Sequence, residues 1–225
     1  MSSDVATPPS DHPKVGYRKG RVRRQEILAT ASDHFAERGF DGATMLDIAA
    51  ACGISRAGLL HHFADKETLL EAVLEARDLE DQARFQPYVA GRSHGIGVLR
   101  GIVDLAEHNQ LVPGLIRLFV RLSAEALTAD HPAHDYFADR YERIRWGTAR
   151  AFTSAGRVGY LQSDVEPAEA ALHVTALMDG LQQQWLFDPS VDMAAHVRYS
   201  VRGFLSASGT DAFTAFALEA GAPTS

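Results

Sequence analysis

At 225 residues the chain is long enough to bury one sizeable helical domain with a smaller one attached, and its single cysteine, Cys52, excludes an internal disulfide framework. The formal charge, 22 basic against 29 acidic side chains for a net of -7, excludes a uniformly basic coat for nucleic acid. No N-terminal apolar run resembles a signal peptide and no stretch is apolar for long enough to span a bilayer, so a soluble, cytoplasmic protein with no membrane partner is expected. Divided at residue 66, the charge becomes informative: the N-terminal part is net positive and the remainder strongly negative. A compact positive end on an acidic body points that end toward a polyanion.

Residues 1–13 are rich in Ser, Pro and Asp and bury too little to offset their ordering entropy. Lys14, Arg18, Lys19, Arg21, Arg23 and Arg24 follow as a basic run able to lie along phosphates, so residues 1–20 read as a disordered arm with a basic end. A first helix is expected over about 21–38, with Ile27, Leu28, Ala31 and Phe35 as its buried stripe, Gly39 as its stop and Phe40 folded back over the last turn.

The stretch Thr44 to Phe63, TMLDIAAACGISRAGLLHHF, reads as two short helices joined by a tight turn. Thr44 is placed to cap the first, with Asp47 in its first turn, and Met45, Ile48, Ala49 and Cys52 recur on one face. Gly53 offers the left-handed backbone that a sharp stop requires; Ile54 plugs the turn and Ser55 caps the second helix. Leu59, His62 and Phe63 then point inward, leaving Arg56, Ala57, Leu60 and His61 outside. Helices this short need a shared core, and the economical use of such a pair is a helix-turn-helix whose second helix enters the major groove.

Asp65 is placed to cap a fourth helix from Lys66, with Leu69, Leu70, Val73 and Leu74 facing back toward the head. Beyond a break at residues 91–97, every readable period is helical: about 96–109, 112–128, 132–156, 167–187 and 192–206. Pro113, Pro132 and Pro167 suit first-turn positions and Asp192 suits a cap. Residues 207–225 are expected to be loosely ordered, with FTAFALEA forming a turn or two.

Residues 21–76 resemble the DNA-binding domain of the tetracycline-repressor (TetR) family. The likeness rests on Phe35, the Arg38-Gly39-Phe40 corner, the Ile48-Ala49 pair, the Gly53-Ile54-Ser55 turn, the His62-Phe63 end and the Lys66-Glu67 helix start. It departs at Ala57, where the family often has Gly, and at Leu60, where it usually has a Tyr that reaches a phosphate; His61 is the better candidate for that contact. The resemblance implies an all-α chain: a three-helix DNA-binding domain over 21–66 and a helical ligand-binding and dimerisation domain over 67–206. Its DNA-facing residues would be Arg21, Arg24, Thr44, Ser55, Arg56, Ala57, Gly58, His61 and Lys66, with Arg56 reading a base.

The resemblance also implies that the last two helices of the body pair with their two-fold mates, through Ala170, Val174, Leu177, Leu181, Val197, Val201 and Phe204. It further implies a ligand cavity, for which Phe119, Phe137, Tyr141, Trp146, His173 and Met178 are the candidate lining. His131 and His134 flank Pro132 without the spacing of a zinc helix, and neither a phosphate loop nor a nucleophile elbow is present; no metal, cofactor or catalysis is expected. The expected function is a homodimeric repressor released from a palindromic operator by a small-molecule effector. Two alternatives stay open: a constitutive DNA-binding or architectural protein without an effector, and a helical enzyme or metal carrier with a borrowed head.

Overall fold

The computed structural model describes residues 14–89 and 93–220, with side chains over 20–89 and 93–216. Ten helices are present among the described residues: α1 (Lys14–Gly42), α2 (Met45–Ala51), α3 (Arg56–His62), α4 (Lys66–Val89), α5 (Ile96–Asn109), α6 (Pro113–Glu125), α7 (His134–Gly156), α8 (Pro167–Phe187), α9 (Met193–Phe204) and α10 (Ala207–Ala220). The only cross-strand pairing among them is a single antiparallel bridge between Leu161 and Leu205.

Helix starts follow from local chemistry. Pro113 and Pro167 occupy first-turn positions of α6 and α8, where a missing N–H costs nothing. Asp65 accepts from Thr68 N–H at 2.7 Å and Asp192 from Ala195 N–H at 2.9 Å, each satisfying a donor that the helix leaves free. Pro132 stands two residues before α7 rather than in its first turn, so the boundary expected at 132 moves to His134.

Two expectations for the ends of the chain are corrected. α1 begins at Lys14, so the part of the arm that can be described is already helical; residues 1–13 lie outside the described residues. At the other end, the loose tail expected from 207 is a fourteen-residue helix. Its small residues give little amphipathic signal, and packing rather than propensity holds it. Phe213 is buried, a side chain at Gly209 would fall on the Tyr160 carbonyl, and the Gly209 N–H donates to Ser206 Oγ at 3.2 Å.

The buried side chains form two clusters. One joins the head to the body: Phe35, Ile48, Leu59, Phe63 and Leu70 pack in continuity with Leu118, Leu122 and Phe137 of α6 and α7. The other fills the body from α5 to α10 and includes Phe152, Met193, Val197, Val201 and Phe213. Each fully buried large side chain contributes about 1.5–3 kcal/mol, and the first cluster spans the boundary between head and body.

Five of the residues expected at a dimer interface belong to these cores. Ala170, Val174, Leu181, Val197 and Val201 are buried within their own chain, and Leu177 and Phe204 are half-buried against the same cluster. α8 is apolar on both sides, so its periodicity did not separate the inner face from the outer. The outer face of the pair carries Leu172, Ala176 and Phe187 on α8, with His196 and Tyr199 on α9.

Candidate nucleic-acid interface and ligand cavity

The head is built as its sequence reads. Thr44 Oγ1 accepts from Asp47 N–H at 3.1 Å and Ser55 Oγ accepts from Gly58 N–H at 3.0 Å, so both short helices are capped by side chains. Between them Gly53 adopts φ +67°, and the Gly53 and Ile54 N–H groups donate to Ala50 and Ala49 carbonyls, both at 3.0 Å. This left-handed closure satisfies the last carbonyls of α2 while turning the chain into α3. Ile48, Ala49, Leu59 and Phe63 lie beneath.

The outer surface gathers Thr44, Ser55, Arg56, Ala57 and His61, all exposed, with Gly58 half-buried beside them. Arg56 has no hydrogen-bond or ion-pair partner among the described residues, which leaves its five donors available. His61 is edge-on to His62 with ring centroids 5.8 Å apart. Arg21 and Arg24 are exposed on α1, and the Arg24 guanidinium lies 4.4 Å from the centre of the Phe63 ring, which holds it at the end of α3.

Lys66 is used differently from the expectation. Its ammonium donates to the Phe40 carbonyl at 2.8 Å and sits 4.2 Å from the centre of the Phe40 ring, so it staples α4 to the end of α1. Arg23 is likewise internal: it donates to the Cys52 carbonyl at 2.7 Å, tying α1 to the turn. Nothing in a run of six basic residues distinguishes the one that ties the turn. Leu46 and Leu60 stand exposed on the same head; Leu46 carries no motif, and only its place just after the Thr44 cap would have marked it.

The head meets the body at Gly39. Its φ of +74° breaks α1, and a side chain there would collide with the Glu125 carboxylate. Glu125 Oε2 accepts from Phe40 N–H at 2.8 Å, replacing a helical bond lost at the break. Oε1 pairs with Arg121 Nε at 3.3 Å, and the other end of Arg121 donates to the Glu37 carbonyl at 2.5 Å. His131 completes the corner, edge-on to Phe40 at 5.3 Å, its Nδ1 accepting from Ala133 N–H at 3.1 Å. With His134 Nδ1 at 2.8 Å from the Ala126 carbonyl, both histidine rings are bound to backbone.

α6 runs from this corner along a cavity of about 630 Å³ among α4 to α8. Phe119, Phe137, Tyr141 and Met178 line it as expected; Trp146 and His173 do not. Trp146 is 62 % exposed on the outside of α7, stacked under Arg150, and His173 sits on the outer face of α8 against Phe204. Helical spacing alone cannot tell which side of a two-faced helix meets a void. The walls include Phe85, Ile102, Leu115, Ile116 and Val174, and the polar groups include Arg77, Asp81, Asn109, Arg140 and Asp179.

The arginines of the cavity wall are paired, in part with residues that do not line it. Asp78 receives Arg140 at 2.5 Å, Arg143 at 2.9 Å and the Tyr136 hydroxyl at 2.9 Å. Arg77 Nη2 lies 2.6 Å from Asp81 Oδ1, at an angle too bent for a hydrogen bond, and Arg140 reaches Asp81 Oδ2 at 3.5 Å. Burial pushes the Asp81 carboxyl above its ordinary value against the pull of Arg77 and Arg140. Burial likewise raises Asp179, and it raises the Tyr141 hydroxyl beside it to about 12 with help from the Asp179 charge.

A capped, partly bare recognition helix on a three-helix head, joined through a shared core to a helical body with an internal cavity, defines a helix-turn-helix DNA-binding regulator. Residues 27–73 match the model of bacterial regulatory proteins of the tetR family, and residues 98–208 match the C-terminal domain of BetI-type transcriptional repressors. The chain belongs to the tetR family, as a DNA-binding transcriptional repressor and not an enzyme. It is 30% identical to the HTH-type transcriptional repressor AcnR of Corynebacterium efficiens, over 70% of this chain and 78% of that one. A transcriptional repressor of Mycobacterium tuberculosis is 31% identical over 75% and 85%. Among solved structures, SmeT of Stenotrophomonas maltophilia in complex with triclosan shares the fold, with a TM-score of 0.70 and 18% identity over 83% of this chain and 93% of that one. Among the described residues, no helix is long and apolar enough to cross a membrane.

Proposed function

We propose that the protein acts in the cytoplasm as a homodimer, holds a palindromic operator through two copies of α3, and lets go when a small molecule occupies the cavity. The observation that carries this reading is that one helix serves both sites. α6 lines the cavity through Leu115, Phe119 and Ser123 and grips the head at Phe40 through Glu125. A ligand that shifts α6 therefore shifts the head.

In this reading Arg56 addresses guanine O6 and N7, while Thr44, Ser55 and His61 bind phosphate and Arg21 and Arg24 extend the contact along the backbone. The exposed Leu172, Phe187 and Tyr199 supply the apolar surface for a second copy, which would place two heads about 34–36 Å apart, one turn of DNA. A ligand preferring the released spacing tenfold supplies about 1.4 kcal/mol per site, so firm release requires a larger preference.

The test is selection of random duplex DNA by the purified protein at near-physiological salt, followed by sedimentation of the complex. Enrichment of a palindrome bound by two chains is expected. Enrichment of a single half-site bound by one chain would refute the dimer, and no enrichment at all would leave only generic phosphate attraction.

A further inference from the structure

The cavity carries one carboxylate that no ion pair among the described residues holds. Its three guanidinium groups, Arg77, Arg140 and Arg143, are each matched within 3.5 Å by a carboxylate, from Asp78, Glu80 and Asp81. That cluster is three against three. Asp179 stands outside it on α8. No cation lies within 4.0 Å of its carboxylate among the described residues: the Tyr141 hydroxyl donates to it, Arg140, already paired with Asp78 and Asp81, attracts it from farther off, and Met178 and the aromatic pair Phe119 and Phe137 line the same cavity.

A half-buried carboxylate without a cation is costly, and the usual remedies are a partner or a proton. One polar group facing the same space is unsatisfied. Asn109 is 5% exposed, lines the cavity, and its side-chain oxygen has no hydrogen-bond partner among the described residues. A carboxylate held only by a neighbouring hydroxyl and an amide oxygen without a partner, in a largely apolar hollow of about 630 Å³, describe a site for a compact apolar molecule with polar substituents.

We propose that the molecule the cavity is built to take is a lipophilic organic amine, its cationic nitrogen seated against the Asp179 carboxylate and its apolar body against Phe119 and Met178. This deepens the reading of the cavity as the effector site and rests on it. The paired arginines argue against an anionic ligand, which would have to break the Asp78 and Asp81 ion pairs to find a free cation. An amine breaks nothing. It gives Asp179 an ion-pair partner and donates to groups that can accept, while one face of the Phe119 ring is already taken by Arg140.

The test uses three probes sharing one body, biphenylmethylamine, biphenylmethanol and biphenylacetate, titrated calorimetrically into the full chain, with the neutral dye N-phenylnaphthylamine as a reporter of cavity entry. The amine should bind about tenfold or more tighter than the alcohol and the acid, the range of a desolvated charge pair. Asp179→Asn should remove that preference while leaving the alcohol within about twofold, and Tyr141→Phe, which keeps the carboxylate, should retain it.

Equal binding of the three probes, tighter binding of the acid, or an amine preference that survives Asp179→Asn would overturn the proposal. So would loss of the preference in Tyr141→Phe alone. If the alcohol or the dye enters and the amine does not, the ligand class is wrong and the effector cavity stands. If none of the four enters, the cavity reading falls with it.

Discussion

Removing the Glu125 carboxylate should loosen the protein measurably. In Glu125→Ala the Phe40 N–H loses its acceptor at 2.8 Å in a half-buried corner, and Arg121 loses its pairing at 3.3 Å. A hydrogen bond to a charged group is worth about 1.5–3 kcal/mol; the Arg121 pair, largely exposed, adds about 0–1 kcal/mol. The sum, about 1.5–4 kcal/mol, corresponds to a fall in Tm of about 3–16 °C for a chain of this size. Glu125→Gln keeps an acceptor for Phe40 N–H and loses only the charge, so it should cost about half as much or less. Urea titrations followed by circular dichroism, with both variants at the same protein concentration, measure the difference. A Glu125→Ala variant within about 0.5 kcal/mol of the parent would refute the corner as a stabilising link. So would a Gln variant as damaged as the Ala variant.

Four further outcomes are expected. Arg56→Ala should weaken operator binding by about 1–3 kcal/mol with little effect on random DNA, read by fluorescence anisotropy on both duplexes; equal weakening on the two would assign Arg56 to phosphate. Ser55→Ala should cost about 1 kcal/mol of stability through the lost cap on α3, and an unchanged urea midpoint would contradict that role. Gly147 lies in α7 with nothing within 4 Å of a built side chain, so Gly147→Ala should stabilise by about 0.8–1 kcal/mol, seen as a higher Tm; a lower one would mean the wall cannot accept a methyl group. Asp179 titrates above its ordinary 3.8 because burial disfavours its charge, so its folded form binds a proton more tightly than the unfolded form. Keeping it ionised therefore costs stability as pH rises through the folded pKa, and Asp179→Asn should stabilise the protein at neutral pH, a gain that vanishes below the ordinary value. A gain that persists unchanged into acid would show that the carboxylate is not the cause.

The head was legible residue by residue because its determinants are local. A cap, a left-handed glycine and a second cap lie within twelve residues of one another, and each works through the backbone beside it. The prolines that open α6 and α8 were legible for the same reason. What escaped was set by distant parts of the chain. Lys66 reads as a phosphate ligand until Phe40 is known to lie beside it, and Arg23 reads as part of a solvated arm until the Cys52 carbonyl is found within its reach. Trp146 and His173 have the chemistry of a cavity wall but stand on outer faces, Trp146 among the charged residues of α7 and His173 on an α8 that is apolar on both sides. α10 escaped because its alanines, serine and threonines speak weakly, and its packing on α5 and against Tyr160 gives the segment a reason to be helical.

The Gly39 corner also bears on engineering. Regulators of this architecture invite recombination, a head of one specificity grafted onto a body that senses another molecule. Here the boundary is keyed. The backbone at Gly39 occupies a space that closes on the Glu125 carboxylate, and the neighbouring Phe40 is clasped by Lys66 from one side and His131 from the other. A transplant cut at residue 66 would separate Phe40 from Glu125 and His131, leaving a bare N–H in one parent and an unmatched carboxylate in the other. A functional hybrid must carry α6 through His131 together with the head, or rebuild that clasp in the recipient.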